Sequence, residues 1–211
     1  MFICNPNNPT GIPMAKKDML NILYKCVEKN VILVVDECFI DFLIDEEEYS
    51  ITRELINYDN VIILKAFTKI YAMAGIRLGY LMCSNKGILS KISGIGQPWS
   101  VSTVASKCGV AALAEVGYVL RTKEYIKENR EYLIKELINL GYKVFKSEVN
   151  YILFRTKNTM IKEKLEERGV LIRSCSNYRN LNDTYFRIAV KSREDNFYLI
   201  SCLKEIERQS D

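Results

Sequence analysis

The chain has no histidine. That absence removes Ser-His-Asp and Cys-His hydrolysis and the common zinc-site types, so acid and base work falls to Lys, Tyr, Asp, Glu or Cys. Cysteine is present but never paired. Cys4, Cys26, Cys38, Cys83, Cys108, Cys175 and Cys202 stand singly, with no C-x-x-C and an odd total, as reduced packed thiols do rather than a disulfide framework. No apolar run approaches membrane-spanning length, and the opening MFICNPNN lacks the basic region and long apolar stretch of a signal peptide. Lys and Arg are spread among 26 acidic residues, so the net charge of +4 forms no nucleic-acid patch. Neither an internal repeat nor a low-complexity segment is visible; the acidic run Asp45 to Glu48 reads as a solvated loop. The expectation is a cytoplasmic chain with no membrane, nucleic-acid or metal partner.

With 211 residues and 48% apolar content, the chain can bury a sizeable core. Strand and helix patterns alternate at first: a strand at about 1 to 5, a helix at about 15 to 29, and strands near 31 to 36, 61 to 65 and 77 to 83. This is the rhythm of an α/β fold, a mainly parallel sheet with helices on its faces. Gly94, Gly96 and Pro98 interrupt it. Small residues from Val101 to Ala114 then predict a buried helix, and an amphipathic helix follows from about Thr122 to Leu140, ended by Gly141. The remainder predicts short strands around 143 to 154 and 170 to 174, a helix at about 159 to 168, a strand at 185 to 190 and a last helix at 194 to 207. The division expected is 1–118 for a larger domain and 119–211 for a smaller α+β domain with its linking helix.

Three segments carry the chemistry. In Phe67 to Tyr80, FTKIYAMAGIRLGY, Lys69 lies eight residues before Arg77 across a small-residue turn. A lysine can form an imine with an aldehyde, and a guanidinium can grip a phosphate through two parallel hydrogen bonds. The pair therefore suits pyridoxal phosphate. Asn5 to Gly11, NPNNPTG, follows a short apolar run, and Val31 to Glu37, VILVVDE, ends an apolar run in carboxylates. Strand ends of this kind face the ligand crevice in parallel α/β sheets.

In order and spacing these segments resemble the three signatures of the fold-type I pyridoxal phosphate aminotransferase superfamily, class I/II. The resemblance implies pyridoxal 5'-phosphate as cofactor, Lys69 as the catalytic lysine that holds it, and Asp36 as the carboxylate beside the ring nitrogen. It further implies Asn8 at the ring hydroxyl, and Thr68 and Arg77 at the cofactor phosphate. Lys65 is a rival lysine, but it lacks the eight-residue relation to Arg77. Two positions depart from the pattern: Ala66 stands where many relatives have Ser or Thr, and Phe39 where many have Tyr. Tyr185 to Val190, YFRIAV, resembles the segment whose arginine binds the substrate carboxylate, here Arg187. Gly169 to Tyr178, GVLIRSCSNY, resembles the segment that places an arginine, here Arg173, on a substrate phosphate.

The chain resembles the histidinol-phosphate aminotransferase branch, and within it the threonine-phosphate decarboxylases of cobalamin synthesis more closely, through DECFIDF, AFTKIYAM, QPWSV and IRSCSNY. The implied substrate is a small phosphorylated amino acid. Full-length members carry a long segment before NPNNPTG, so the expectation is the C-terminal part of a large domain followed by the small one, a truncated chain. By resemblance it would form a homodimer once the N-terminal part is supplied and decarboxylate threonine phosphate; the alternatives are a histidinol-phosphate-type aminotransferase and a non-catalytic remnant.

Overall fold

A computed structural model describes residues 1–209 and divides the chain into two compact units. The first holds Met1–Asn7 and Pro13–Lys123; the second holds Asn8–Ile12 and Glu124–Asp211, of which residues 210 and 211 lie outside the described residues.

In the first unit, strands β1 (Phe2–Cys4), β2 (Leu33–Asp36), β3 (Val61–Ala66) and β4 (Gly79–Met82) form one sheet in that order. β1, β2 and β3 run parallel, and β4 returns antiparallel to β3. Helix α1 (Lys16–Glu28) supplies the crossover from β1 to β2. Its Met19, Leu23 and Cys26 recur on one helical face and are all buried. They meet Leu33, Val35, Val61 and Ile63, alternate residues of two neighbouring strands and therefore one face of the sheet. Each of these Met, Leu, Val and Ile side chains contributes about 1.5–3 kcal/mol by leaving water. Parallel register brings the ends of β1 and β2 level, Cys4 pairing with Asp36, and sets Asp36 beside Leu64, two residues before β3 ends.

A single helical turn, α2 (Phe67–Ile70), follows β3 directly. Three longer helices follow the sheet: α3 (Lys86–Ile95), α4 (Thr103–Ala114) and α5 (Val116–Asn139), the last continuing into the second unit. Asn85 caps α3 and Ser102 caps α4 through their side-chain oxygens. α5 ends at Gly141, whose φ of +79° closes the helix in the left-handed region that glycine adopts without cost.

The second unit carries an antiparallel sheet, ordered β5 (Lys143–Val144), β6 (Tyr151–Arg155), β8 (Tyr185–Ala189) and β7 (Arg173–Ser174). Helices α6 (Ile161–Glu166) and α7 (Arg193–Arg208) complete it. Leu199, Ile200, Leu203 and Ile206 of α7 are buried, as are Ile152, Phe154, Phe186 and Ile188 of the sheet.

Three features differ from the sequence reading. α3 was not anticipated, because Gly87 and Gly94 weaken its helical signal while its Asn85 cap compensates. α4 forms where expected, but it is buried only along Ala105, Gly109 and Ala112; Val104, Val110 and Leu113 are all more than 60% exposed. The acidic run is not simply solvated. Glu46–Glu48 form a 3-10 turn in which Glu46 meets Lys123 at 3.2 Å and Glu47 pairs with Arg53.

Candidate active site

Asp36 ends β2, where its Oδ1 accepts the backbone N–H of Cys38 at 3.0 Å. The adjacent carboxylate does different work. Glu37 is fully buried and accepts hydrogen bonds from the Ser50 hydroxyl (2.8 Å), the Ile51 N–H (3.2 Å) and the Thr52 hydroxyl (3.3 Å). Burial pushes its pKa up from the ordinary value, although those donors and the Lys65 charge oppose the shift. Glu37 thus ties the loop after β2 to the 50–52 segment and leaves Asp36 at the strand end. Strand alternation predicts this split, since neighbouring residues point to opposite faces.

Two lysines lie near these carboxylates, and their surroundings separate them. Lys65 is mostly buried and pairs with Asp41 at 2.5 Å. Burial alone would lower its pKa, but Asp41 and, more weakly, Glu37 and Glu46 hold it above the ordinary lysine value. It is a committed cation. Lys69 sits on α2, exposed, with its Nζ 5.9 Å from the centre of the Phe39 ring, and among the described residues it makes no ion pair. Its charge reaches the Cys38 thiol, which also feels Asp36 and Cys4. Burial, then the Asp36 carboxylate, push that thiol up to about 12. Asp36 and Lys69 thus both act on Cys38, at the end of the sheet where the parallel strands finish.

The turn carrying Lys69 is fixed from behind. Phe67 is buried, stacks on Tyr71 at 5.5 Å between ring centres and meets Tyr80 at 5.8 Å; Tyr71 stacks on Tyr118 at 6.2 Å. Thr68 is buried beside it. Arg77 follows the 3-10 turn Ala74–Ile76 with a φ of +58°, a left-handed conformation uncommon for a side-chain-bearing residue. It is exposed, its Nη1 donates to the Ala74 carbonyl at 3.2 Å, and no carboxylate faces it among the described residues.

The remaining predicted residues gather in the second unit. Arg187 Nη1 donates to Asn8 Oδ1 at 2.5 Å, and the Tyr178 hydroxyl donates to the same oxygen at 3.3 Å. The Arg187 guanidinium lies over the Tyr151 ring, 5.1 Å from its centre. Arg173 and Arg187 are direct partners across β7 and β8, so both side chains leave the same face. Directly opposed like charges destabilise a sheet, and an anion between them would offset that cost. Both charges reach the buried Cys175 thiol, whose pKa burial raises and the two arginines oppose.

Asn8 thus appears on the oxygen side of a bond to Arg187, a partnership its motif alone did not reveal. Sequence reasoning also missed the Lys65–Asp41 pair, Tyr151 beneath Arg187, and Cys38 at Asp36. Asp41 reaches Lys65 from the 3-10 turn Ile40–Phe42, and Tyr151 reaches Arg187 through the register of β6 on β8; no local pattern carries either relation.

The donor set matches the chemical faces of pyridoxal 5'-phosphate. Asp36 is a strand-end carboxylate suited to a ring nitrogen, Lys69 an amine outside any ion pair among the described residues and suited to an aldehyde, and Arg77 with Thr68 a guanidinium and a hydroxyl suited to a phosphate. Among the described residues no group of three His, Cys, Asp or Glu could hold a metal ion, and no single helix is long and apolar enough to cross a membrane.

Comparison with known proteins agrees with this chemistry. Residues 1–203 match the family model described as aminotransferase class I and II. A provisionally named threonine-phosphate decarboxylase of Caldanaerobacter subterraneus subsp. tengcongensis is 35% identical over 208 residues, covering 97% of this chain and 56% of that protein. Histidinol-phosphate aminotransferase 2 of Archaeoglobus fulgidus is 34% identical over 207 residues, covering 98% of this chain and 58% of that one. The crystal structure of the histidinol-phosphate aminotransferase from Clostridium acetobutylicum superposes with a TM-score of 0.93 at 32% identity, over 99% of this chain and 64% of that structure. The chain spans a little over half the length of the curated relatives it matches. It belongs to the class I and II aminotransferase family, whose cofactor is pyridoxal 5'-phosphate.

Proposed function

We propose that this chain carries the cofactor lysine and the substrate-anion groups of an enzyme that decarboxylates L-threonine O-3-phosphate to aminopropanol phosphate, in cobalamin biosynthesis. The observation that carries the reading is the pairing of Arg173 with Arg187 on one sheet face. Two guanidinium groups side by side suit a substrate with two anionic groups, and a phosphorylated amino acid has a carboxylate and a phosphate.

Pyridoxal 5'-phosphate, when bound, supplies an electron sink for a bond broken at the substrate α-carbon. Asp36 would keep the ring nitrogen protonated, Lys69 would anchor the cofactor, and Arg77 with Thr68 would hold its phosphate. The Lys69 Nζ would also be the group that delivers or removes a proton at the substrate α-carbon. Arg187, steadied by Asn8 and by the Tyr151 ring, would hold the substrate carboxylate, and Arg173 its phosphate. Which α-carbon bond breaks depends on how these two arginines orient the substrate. Phe39 brings no hydroxyl to the neighbourhood of Lys69, and the decarboxylase reading draws on that departure.

The similarity to the Clostridium acetobutylicum aminotransferase favours a second reading, amino transfer of the histidinol-phosphate type. Assay of the complete enzyme with threonine phosphate separates the two. Release of carbon dioxide with aminopropanol phosphate supports the first; amino transfer to 2-oxoglutarate without carbon dioxide rejects it. The proposal extends to a cytoplasmic homodimer that takes a small phosphorylated substrate and no nucleic acid.

A further inference from the structure

We infer that Ser147 is a positioning residue for Arg187, holding it from two sides at once; its effect on substrate rests on reading Arg187 as the carboxylate-binding group. Ser147 is buried in the loop before β6 and touches both structures that surround the Arg187 guanidinium.

The first is Tyr151. The Ser147 hydroxyl donates to the Tyr151 carbonyl at 2.5 Å, fixing the start of β6, and the Tyr151 ring is the surface over which the guanidinium lies. The second is the segment Asn8–Ile12, which belongs to the same compact unit. The Gly11 carbonyl accepts the Glu148 N–H at 3.0 Å, so this segment is seated on the loop beginning at Ser147. Its fit leaves no room for a side chain. A Cβ on Gly11 would lie 2.3 Å from the Ser147 Oγ and 3.0 Å from a Val149 methyl, and the φ of +74° at Gly11 is the left-handed conformation glycine adopts freely. Three residues earlier, Asn8 accepts the Arg187 Nη1 hydrogen bond. Arg130 braces the loop by donating from Nη1 to the Val149 carbonyl at 3.2 Å.

Removing the Ser147 hydroxyl leaves the buried Tyr151 carbonyl without this donor and loosens the seat of Gly11, so both supports of Arg187 shift together. The carboxylate contact should suffer, and the phosphate contact at Arg173 should not. The test uses the full chain labelled with nitrogen-15, the Arg187 side-chain N–H signal being assigned by its loss in Arg187→Lys. In Ser147→Ala we expect that signal to broaden or vanish, with the backbone amides of β6 and β8 keeping their dispersion and Ser147→Thr, which retains the hydroxyl, keeping the signal.

Calorimetric titration with two probes reads the consequence. O-phospho-L-threonine should bind Ser147→Ala roughly five- to tenfold more weakly, the loss of about one hydrogen bond's worth of orientation, whereas aminopropanol phosphate, which lacks the carboxylate, should change by less than about twofold. An unchanged Arg187 signal in Ser147→Ala, equal weakening of both probes, or collapse of the β6 and β8 amide dispersion would overturn the positioning role. Binding of neither probe to the unaltered chain, with the Arg187 signal still lost in Ser147→Ala, would reject the proposed function and leave the positioning of Arg187 standing.

Discussion

Asp36 and Glu37 are chemically near-identical neighbours with opposite fates. Glu37 is held by three donors in the interior, while Asp36 meets one backbone N–H at the strand end. Burial raises the folded-state pKa of Glu37 above 4.5, so the folded chain holds that proton more tightly than the unfolded chain. Its contribution to stability is therefore greatest at low pH and declines as pH rises through the raised value. Replacing Glu37 with Gln removes this decline. Urea midpoints of the two proteins measured between about pH 4.5 and 7 should show the unaltered chain losing ground to Glu37→Gln as pH rises. A gain with rising pH would contradict the assignment. Lys65 follows the same rule at alkaline pH: its raised pKa gives stability that is complete below 10.5 and lost as pH rises through the folded value.

Among the elements, α4 explains why the Lys69 turn holds its shape. Gly109 lets the helix approach Leu78 and Phe67 so closely that a Cβ would sit 2.5 Å from a Leu78 methyl. Gly109→Leu should cost about 2–3 kcal/mol by overpacking, read from chemical denaturation, and a neutral result would show that the contact yields freely. The sequence made the sheet and α1 of the first unit legible, though not α3, because β2 and β3 are short apolar runs and α1 has one apolar stripe. Motif spacing pointed to Asp36, Lys69 and Arg77, which the chain places at the end of β2, on the helical turn after β3 and just before β4. It could not reveal that Asn8 joins Arg187, since that contact spans 179 positions and depends on how the second unit gathers the Asn8–Ile12 segment. The burial of α4 was misjudged for a related reason: small residues on one face indicate close packing there and say nothing of the other face.

At the scale of the whole molecule, that other face is the unusual feature. Val104, Val110 and Leu113 of α4, with Val116 and Leu120 of α5, are each more than 60% exposed, and the sole tryptophan, Trp99, is 96% exposed. A helix apolar on all sides is ordinarily buried. The 211-residue chain should bind a hydrophobic dye such as ANS, and the double variant Val110→Lys/Leu113→Lys should reduce that binding without lowering stability by more than about 0.5 kcal/mol. Equal dye binding by the two proteins would place the apolar surface elsewhere. The central claim concerns one amine. Lys65 is spent on Asp41, whereas Lys69, on the turn after β3, makes no ion pair among the described residues, and only the second suits an aldehyde. Addition of pyridoxal 5'-phosphate, borohydride reduction and peptide mapping locate the labelled lysine directly. The account predicts label on Lys69, retained in Lys65→Ala and lost in Lys69→Ala; label on Lys65, or scattered over surface lysines with none at Lys69, would contradict it.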